Sequence, residues 1–88
     1  MPNAEKILDA ILRGISDANL PFGGLCHLLK NLGFQELVNG SHHIFWKEAV
    51  AEIVNLQPKG AKAKAYQVKQ VRAILVKYKL GGKPDAEV

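Results

Sequence analysis

The sequence predicts an α+β fold in which a three-stranded antiparallel sheet packs on helices, with an extra helix at the N-terminus. Helical apolar spacing near both ends of the chain, strand-like segments between them and a length of 88 residues predict this class. The composition, 48% hydrophobic and 23% charged, is typical of a folded domain. A chain this short excludes a multidomain enzyme with separate cofactor and substrate domains.

Two helices are predicted before the strands. The first begins after Asn3, which can cap its N-terminus, and its apolar residues share one face: Ile7, Leu8, Ile11, Leu12 and Ile15. The second begins at Pro21 and ends at Gly33, and its apolar residues follow helical spacing: Leu25, Leu28, Leu29 and Leu32.

Three strands and a final helix complete the prediction. The strands are Phe34–Val38, Ser41–Lys47 and Val50–Leu56, and Asn39-Gly40 is a strong signal for the tight turn between the first two. Pro58–Ala65 is predicted to be a loop, because proline and glycine interrupt regular structure. The last helix is predicted from Tyr66 to about Tyr78, with Gly81-Gly82 ending it.

The predicted organisation has three parts. Residues 1–20 form an N-terminal helical extension, residues 21–80 form an α-β-β-β-α domain, and residues 81–88 form a loose tail. The chain contains no apolar run long enough for a membrane span and no visible secretory signal. Its single cysteine, Cys26, excludes an internal disulfide and fits a reducing compartment. We therefore expect a cytoplasmic domain with no membrane association.

The basic residues are concentrated in the C-terminal third. The net charge of +4 conceals a segment, residues 53–84, with no acid and eight bases: Lys59, Lys62, Lys64, Lys69, Arg72, Lys77, Lys79 and Lys83. A concentration of positive charge attracts phosphate, so the segment indicates a nucleic-acid partner. The competing interpretation is a solvated lysine-rich surface.

The densest cluster of reactive residues is Gly40-Ser41-His42-His43. Histidine accepts and donates protons near neutral pH, and RNA cleavage needs a base for the 2′-hydroxyl and an acid for the leaving oxygen. Lys59, Lys62 and Lys64 could stabilise the charge on the phosphate in the transition state. The alternative is that a strand histidine simply fills a half-exposed position.

The two adjacent histidines point to opposite faces of a strand, so they cannot both meet one substrate. With Asn39-Gly40 as a two-residue turn, Glu36 pairs with His43, either as a general-base arrangement or as a surface pair. Sequence geometry leaves the choice between His42 and His43 open. No cofactor or metal is expected, because Cys26-His27 has no second cysteine at zinc-ligand spacing.

Two motifs carry a resemblance to a known family. Leu28-Leu29-Lys30-Asn31-Leu32-Gly33-Phe34, followed by Gly40-Ser41-His42-His43-Ile44-Phe45 and a closing apolar helix, resembles the HicA toxins over about residues 22–80. These are small mRNA endonucleases of toxin–antitoxin modules, with a fold like the double-stranded-RNA-binding domain. The resemblance implies a metal-independent ribonuclease with an antitoxin partner of the HicB type. It assigns the key role to His42, with His43 as second choice.

The functional expectation is therefore an endoribonuclease toxin that cleaves mRNA. His42 acts as acid or base, Gly40 and Ser41 lie near the phosphate, and Lys59, Lys62 and Lys64 hold the RNA backbone. A second hypothesis is a non-catalytic module that binds double-stranded RNA through the basic C-terminal third. A third is a protein-interaction domain whose basic surface meets an acidic partner.

Overall fold

Residues 4–80, the part of the chain that the computed structural model describes, form an α+β fold with three α-helices and a three-stranded antiparallel sheet. The α-helices are α1 (Ala4–Arg13), α2 (Phe22–Asn31) and α3 (Ala65–Lys77), and a 3₁₀ turn covers Asp17–Asn19. The strands are β1 (Gln35–Asn39), β2 (His42–Lys47), β3 (Val50–Leu56), β4 (Pro58–Lys59) and β5 (Lys62–Ala63). The predicted Asn3 cap, the Gly81-Gly82 stop and the tail 81–88 lie outside the described residues.

Helix α1 contributes to the same core as the rest of the fold. Ile7 and Ile11 are buried, and α1 packs against both α2 and α3. The predicted apolar face was too long, because Leu12 and Ile15 are exposed. The helix ends at Arg13 and Gly14 adopts a φ of +70°, so Ile15 lies beyond the helix and off its buried face.

The first hairpin turns one residue later than predicted. Asn39 pairs with His42, so the two turn residues are Gly40 and Ser41. Gly40 has a φ of +64°, and a glycine in the first turn position is typical of a type II′ turn, whose twist matches the flanking strands. The predicted register, in which Glu36 faces His43 directly, was therefore wrong: Glu36 pairs with Phe45.

The three-stranded sheet has the order β1-β2-β3 and packs one face against the helices. The core beneath that inner face includes Phe45, Val54 and Leu56 from the sheet. The helices contribute Ile7 and Ile11 from α1, Leu25, Leu28 and Leu29 from α2, and Val68, Val71 and Leu75 from α3. The alternate strand residues, among them His42, Ile53 and Asn55, lie on the outer face and are exposed.

The segment predicted as a loop is a short hairpin. Strands β4 and β5 pair around a turn at Gly60, where φ is +61°, and Pro58 is tolerated because it is the first residue of its strand. The hairpin is held against the chain before α2, since Ala63 N–H donates to the Leu20 carbonyl and Phe22 N–H donates to the Ala61 carbonyl. This pairing brings the start of α3 to a defined position beside the sheet.

Helix α3 covers the free edge of β3. The Gln67 side chain accepts a hydrogen bond from Gln57 N–H at 3.0 Å and donates to the Asn55 carbonyl at 3.2 Å. Further along, Ala51 N–H donates to the Tyr78 hydroxyl at 3.2 Å. Gln67 is only 5% exposed. Its amide supplies the hydrogen bonds that a neighbouring strand would otherwise provide at this end of β3.

The basic segment is partly neutralised by acids from earlier in the chain. Arg72 forms a two-pronged ion pair with Asp17 at 2.9 and 3.0 Å, and Lys77 contacts Glu52 at 2.8 Å. None of the helices within residues 4–80 has the length and apolar character that a membrane span requires.

Candidate functional site

His42 lies on the outer face of the sheet, where it contacts Asn55. The two residues come from neighbouring strands and reach the same face because Ile44, two residues beyond His42, pairs with Asn55. Nδ1 of His42 lies 3.2 Å from Oδ1 of Asn55. An amide oxygen only accepts hydrogen bonds, so Nδ1 carries the proton and Nε2 of the neutral ring has a free lone pair.

A groove of about 340 Å³ separates this part of β3 from the first turns of α3. It is lined by His42, Ile53, Asn55, Gln57, Tyr66, Gln67 and Gln70. Most of these side chains carry a hydroxyl, amide or imidazole group, while Ile53 supplies an apolar surface. The groove is open to solvent and can admit an extended polar ligand beside the His42 ring.

A chain of hydrogen bonds joins the hairpin turn to the start of α3 through Gln57. The Gln57 amide donates to Ser41 Oγ at 3.1 Å, and Lys64 Nζ donates to Gln57 Oε1 at 3.2 Å. Lys64 immediately precedes the first residue of α3, where the helix dipole adds a partial positive charge. The structure thus links both Ser41 and Lys64 to Gln57, a residue that lines the groove together with His42.

The other predicted phosphate-binding residues occupy different positions. Lys59 and Lys62 face each other across the β4–β5 hairpin, and Lys62 Nζ donates to Asn19 Oδ1 at 3.1 Å. Gly40 forms the hairpin turn, and no neighbouring atom within residues 4–80 would crowd a side chain there. Of the three predicted lysines, Lys64 is the one that contacts a residue of the groove.

His43 lies on the inner face of the sheet, as the alternation of strand residues predicts. Its Nδ1 is 2.9 Å from Oε2 of Glu36, and its ring meets the Phe22 ring edge-to-face at 4.9 Å. Lys30 holds the other Glu36 oxygen at 2.7 Å. Hydrogen bonds from His43 and then from Lys30 lower the pKa of Glu36. These contacts give His43 a role in joining α2 to the sheet.

Sequence reasoning missed several residues of the groove: Asn55, Gln57, Tyr66, Gln67 and Gln70. One signal for Asn55 was present, because strand alternation places it on the face of β3 opposite to the apolar residues Val54 and Leu56. The glutamines carry no local motif. Their proximity to His42 depends on how α3 docks against β3.

Comparison with protein-family models, curated proteins and solved structures gives no match for this chain. The resemblance to the HicA family therefore stays a prediction that depends on the motifs described above.

Proposed function

We propose that this protein is a metal-independent RNA endonuclease in which His42 is the general base. The observation that carries the proposal is the Asn55–His42 contact, which holds the protonated Nδ1 and leaves Nε2 as a base at an open polar groove. A positioned imidazole of this kind supplies rate enhancements of about 10²–10⁴-fold.

The proposed reaction is an intramolecular transesterification. Nε2 of His42 takes the proton of a ribose 2′-hydroxyl, and the resulting oxygen bonds to the adjacent phosphorus while the bond from phosphorus to the 5′-oxygen breaks. The leaving oxygen takes its proton from water or from an ammonium group, and Lys64 is an ammonium group bonded to the groove residue Gln57. The products are a 2′,3′-cyclic phosphate and a 5′-hydroxyl, and no atom of the protein becomes covalently attached.

Charge near the groove supports a phosphate substrate. Lys64 is held by a neutral amide rather than by an acid, so its positive charge is not neutralised by that contact. The first turn of α3 starts at the next residue, and the helix dipole adds a partial positive charge there. Together they favour the extra negative charge that develops on the phosphate in the transition state.

The order of elements supports a finer classification. Residues 21–80 run α2, β1, β2, β3, α3, with the short β4–β5 hairpin inserted before α3. We assign this order to a double-stranded-RNA-binding-domain-like fold of the HicA type, acting on mRNA in the cytoplasm.

The outer face of the sheet supports a protein partner in the same proposal. Ile53 is 69% exposed beside the groove, and Leu37 is exposed on the same face. An antitoxin of the HicB type that covered these side chains would also block His42. Leu37→Ser, which lies outside the groove lining, should weaken such a complex without altering RNA cleavage, and unchanged co-purification of the partner would contradict this surface assignment.

The test of the proposal is cleavage of a short RNA by the purified protein in the presence of EDTA. The wild type should leave 2′,3′-cyclic phosphate ends, and an oligonucleotide with 2′-deoxyribose at the cut position should stay intact there. His42→Ala should lose about 100-fold or more in rate. His27→Ala, which alters an exposed histidine on α2, is the matched control and should cleave normally.

Two results would contradict the proposal. Cleavage that survives in His42→Ala would remove the base from the mechanism. Intact RNA with the wild type, combined with salt-sensitive binding of duplex RNA, would favour the non-catalytic binding module.

A further inference from the structure

A second cluster of reactive side chains lies on the inner face of the sheet. Cys26 on α2, Glu36 on β1 and His43 on β2 each offer one donor atom, and these three atoms lie within 4.8 Å of one another. We infer that this cluster binds a transition-metal ion of the zinc type. Sequence analysis considered Cys26 only with its neighbour His27 and predicted no zinc site. In the structure Cys26 lies close to Glu36 and His43, which come from separate strands.

The donor set and its burial support this ligand class. Thiolate, imidazole and carboxylate are the three ligand types that zinc takes in proteins, at distances of about 2.0–2.3 Å. Cys26 is buried, and the side chains of Glu36 and His43 are only 12% and 24% exposed. Three protein ligands leave the fourth tetrahedral position for a water molecule.

Neighbouring residues already orient two of the three ligands. Lys30 holds Oε1 of Glu36 at 2.7 Å, so Oε2 is the oxygen that faces His43. The Phe22 ring packs edge-to-face on the imidazole. Outer contacts of this kind fix ligand direction in metal sites, and here both come from α2.

A nucleophilic thiol is the rival explanation of a Cys–His–Glu cluster. A nucleophile needs a lowered pKa, whereas burial, and then the negative charge of Glu36, raise the pKa of Cys26 to about 11. A bound cation reverses this effect, because it replaces the thiol proton and offsets the carboxylate charge. Binding therefore releases the proton of Cys26 to solvent, together with any proton on the His43 nitrogen that becomes a ligand.

The metal site is separate from the proposed catalytic groove. His43 and His42 point to opposite faces of β2, so an ion at Cys26 lies beneath the sheet while the groove lies on its outer face. The inference consequently does not depend on ribonuclease activity. The ion would join α2 to the first hairpin, and its removal would affect stability before chemistry.

Titration of the full-length protein with Co²⁺ tests the inference, with Zn²⁺ then added to displace it. Wild-type protein should bind one Co²⁺ and show a sulfur-to-cobalt charge-transfer absorption, and Zn²⁺ should abolish that absorption. Zn²⁺ at 100-fold excess over its Kd should raise the Tm by about 10 °C or more. Release of protons on binding should be measurable in weakly buffered solution.

Matched variants separate this site from others. Cys26→Ser keeps the size of the side chain and should abolish the charge-transfer band and weaken Zn²⁺ binding by at least about 100-fold, since even outer contacts cost 10–100-fold. His43→Gln should weaken binding similarly. His27→Ala and His42→Ala should bind as the wild type does.

Absence of the charge-transfer band in folded wild-type protein would overturn the inference. So would equal Zn²⁺ affinity in the wild type and Cys26→Ser, or a loss of binding in His27→Ala instead. Failure of the cleavage proposal would show separately, as intact RNA with unchanged Co²⁺ spectra.

Discussion

At the residue scale, the direction of each side chain from β2 gives two adjacent histidines different roles. The alternation of strand residues predicts their opposite faces, and the structure confirms it. Which face is covered by helices was not predictable from the motif alone. It follows from α2, whose Phe22 and Cys26 lie over His43 and leave His42 exposed.

Asn55 is the residue that positions His42, and its substitution gives a test at the same scale. Asn55→Ala should reduce kcat for RNA cleavage by about 10-fold or more with little change in KM, because Nδ1 loses the acceptor that fixes the tautomer. Asn55→Asp should restore a hydrogen-bond acceptor for Nδ1 of His42. Its carboxylate stabilises the imidazolium, so the acidic limb of the pH–rate profile should move to higher pH.

The measurement is the pH–rate profile of wild type and both variants, with Tm as the control. Asn55 is exposed, so neither variant should alter the Tm appreciably. An unshifted profile in Asn55→Asp would show that this contact does not act on the catalytic proton.

At the element scale, the first hairpin shows what local sequence signals can predict. The two strands were predicted to within one residue and a tight turn was expected between them, but Asn39-Gly40 was taken as the turn where Gly40-Ser41 forms it. A glycine with positive φ fits either position, so one sequence is compatible with two registers. Glu36 nevertheless reaches His43, because diagonal neighbours across strands lie within reach of a long side chain.

Gln67 is expected to be the main polar contact between α3 and the edge of β3. Gln67→Leu should destabilise the protein by about 1–3 kcal/mol, because Gln57 N–H and the Asn55 carbonyl lose their buried partner. Urea denaturation measures the change. Gln70→Ala, on the exposed side of the same helix, should stay within about 0.5 kcal/mol of wild type. Equal effects of the two substitutions would contradict the role given to Gln67.

Lys59, Lys62 and Lys64 were predicted to bind the RNA backbone together, but the β4–β5 hairpin places Lys59 and Lys62 apart from Lys64. Lys64→Ala should weaken RNA binding and flatten the dependence of log K on log salt by about 0.7–0.9, the contribution of one phosphate contact. Lys62→Ala should have a smaller effect, because Lys62 is directed to Asn19. Binding isotherms at several salt concentrations measure both. If Lys62→Ala changed the slope of log K against log salt more than Lys64→Ala does, the RNA phosphates would contact the β4–β5 hairpin and not the groove.

At the scale of the whole molecule, the basic C-terminal third is held to the acidic N-terminal part by ion pairs. A linear count of charge showed the segregation but not the pairing, since Asp17 and Arg72 are joined only by the tertiary fold. The groove is likewise formed only by the tertiary fold. Its residues lie on β2, on β3 and the residue after it, and on α3, and the docking of α3 that brings them together has no signature in a local motif.

Glu52 predicts how the stability of the molecule changes in acid. Hydrogen bonds from Lys77 and then from Tyr78 lower its pKa from 4.5 to about 2. A carboxylate with a lowered pKa stabilises the folded state above pH 4.5, and this contribution is lost as the pH falls towards 2. Glu52→Gln should therefore flatten the decline of stability in this window, as measured by urea denaturation at each pH. An unchanged decline would show that the contact with α3 does not persist in solution.

In the proposed mechanism His42 is the general base, whereas its neighbour His43 stabilises the fold by joining α2 to the sheet. The most direct measurement compares His42→Ala with His43→Ala in two assays, the single-turnover rate of RNA cleavage and the Tm. His42→Ala should lose cleavage by about 100-fold or more at an unchanged Tm, whereas His43→Ala should lower the Tm because Glu36 loses one of its two partners and Phe22 loses its ring contact. Loss of cleavage in His43→Ala at an unchanged Tm, with normal cleavage by His42→Ala, would contradict the account and transfer the catalytic role to the inner face of the sheet.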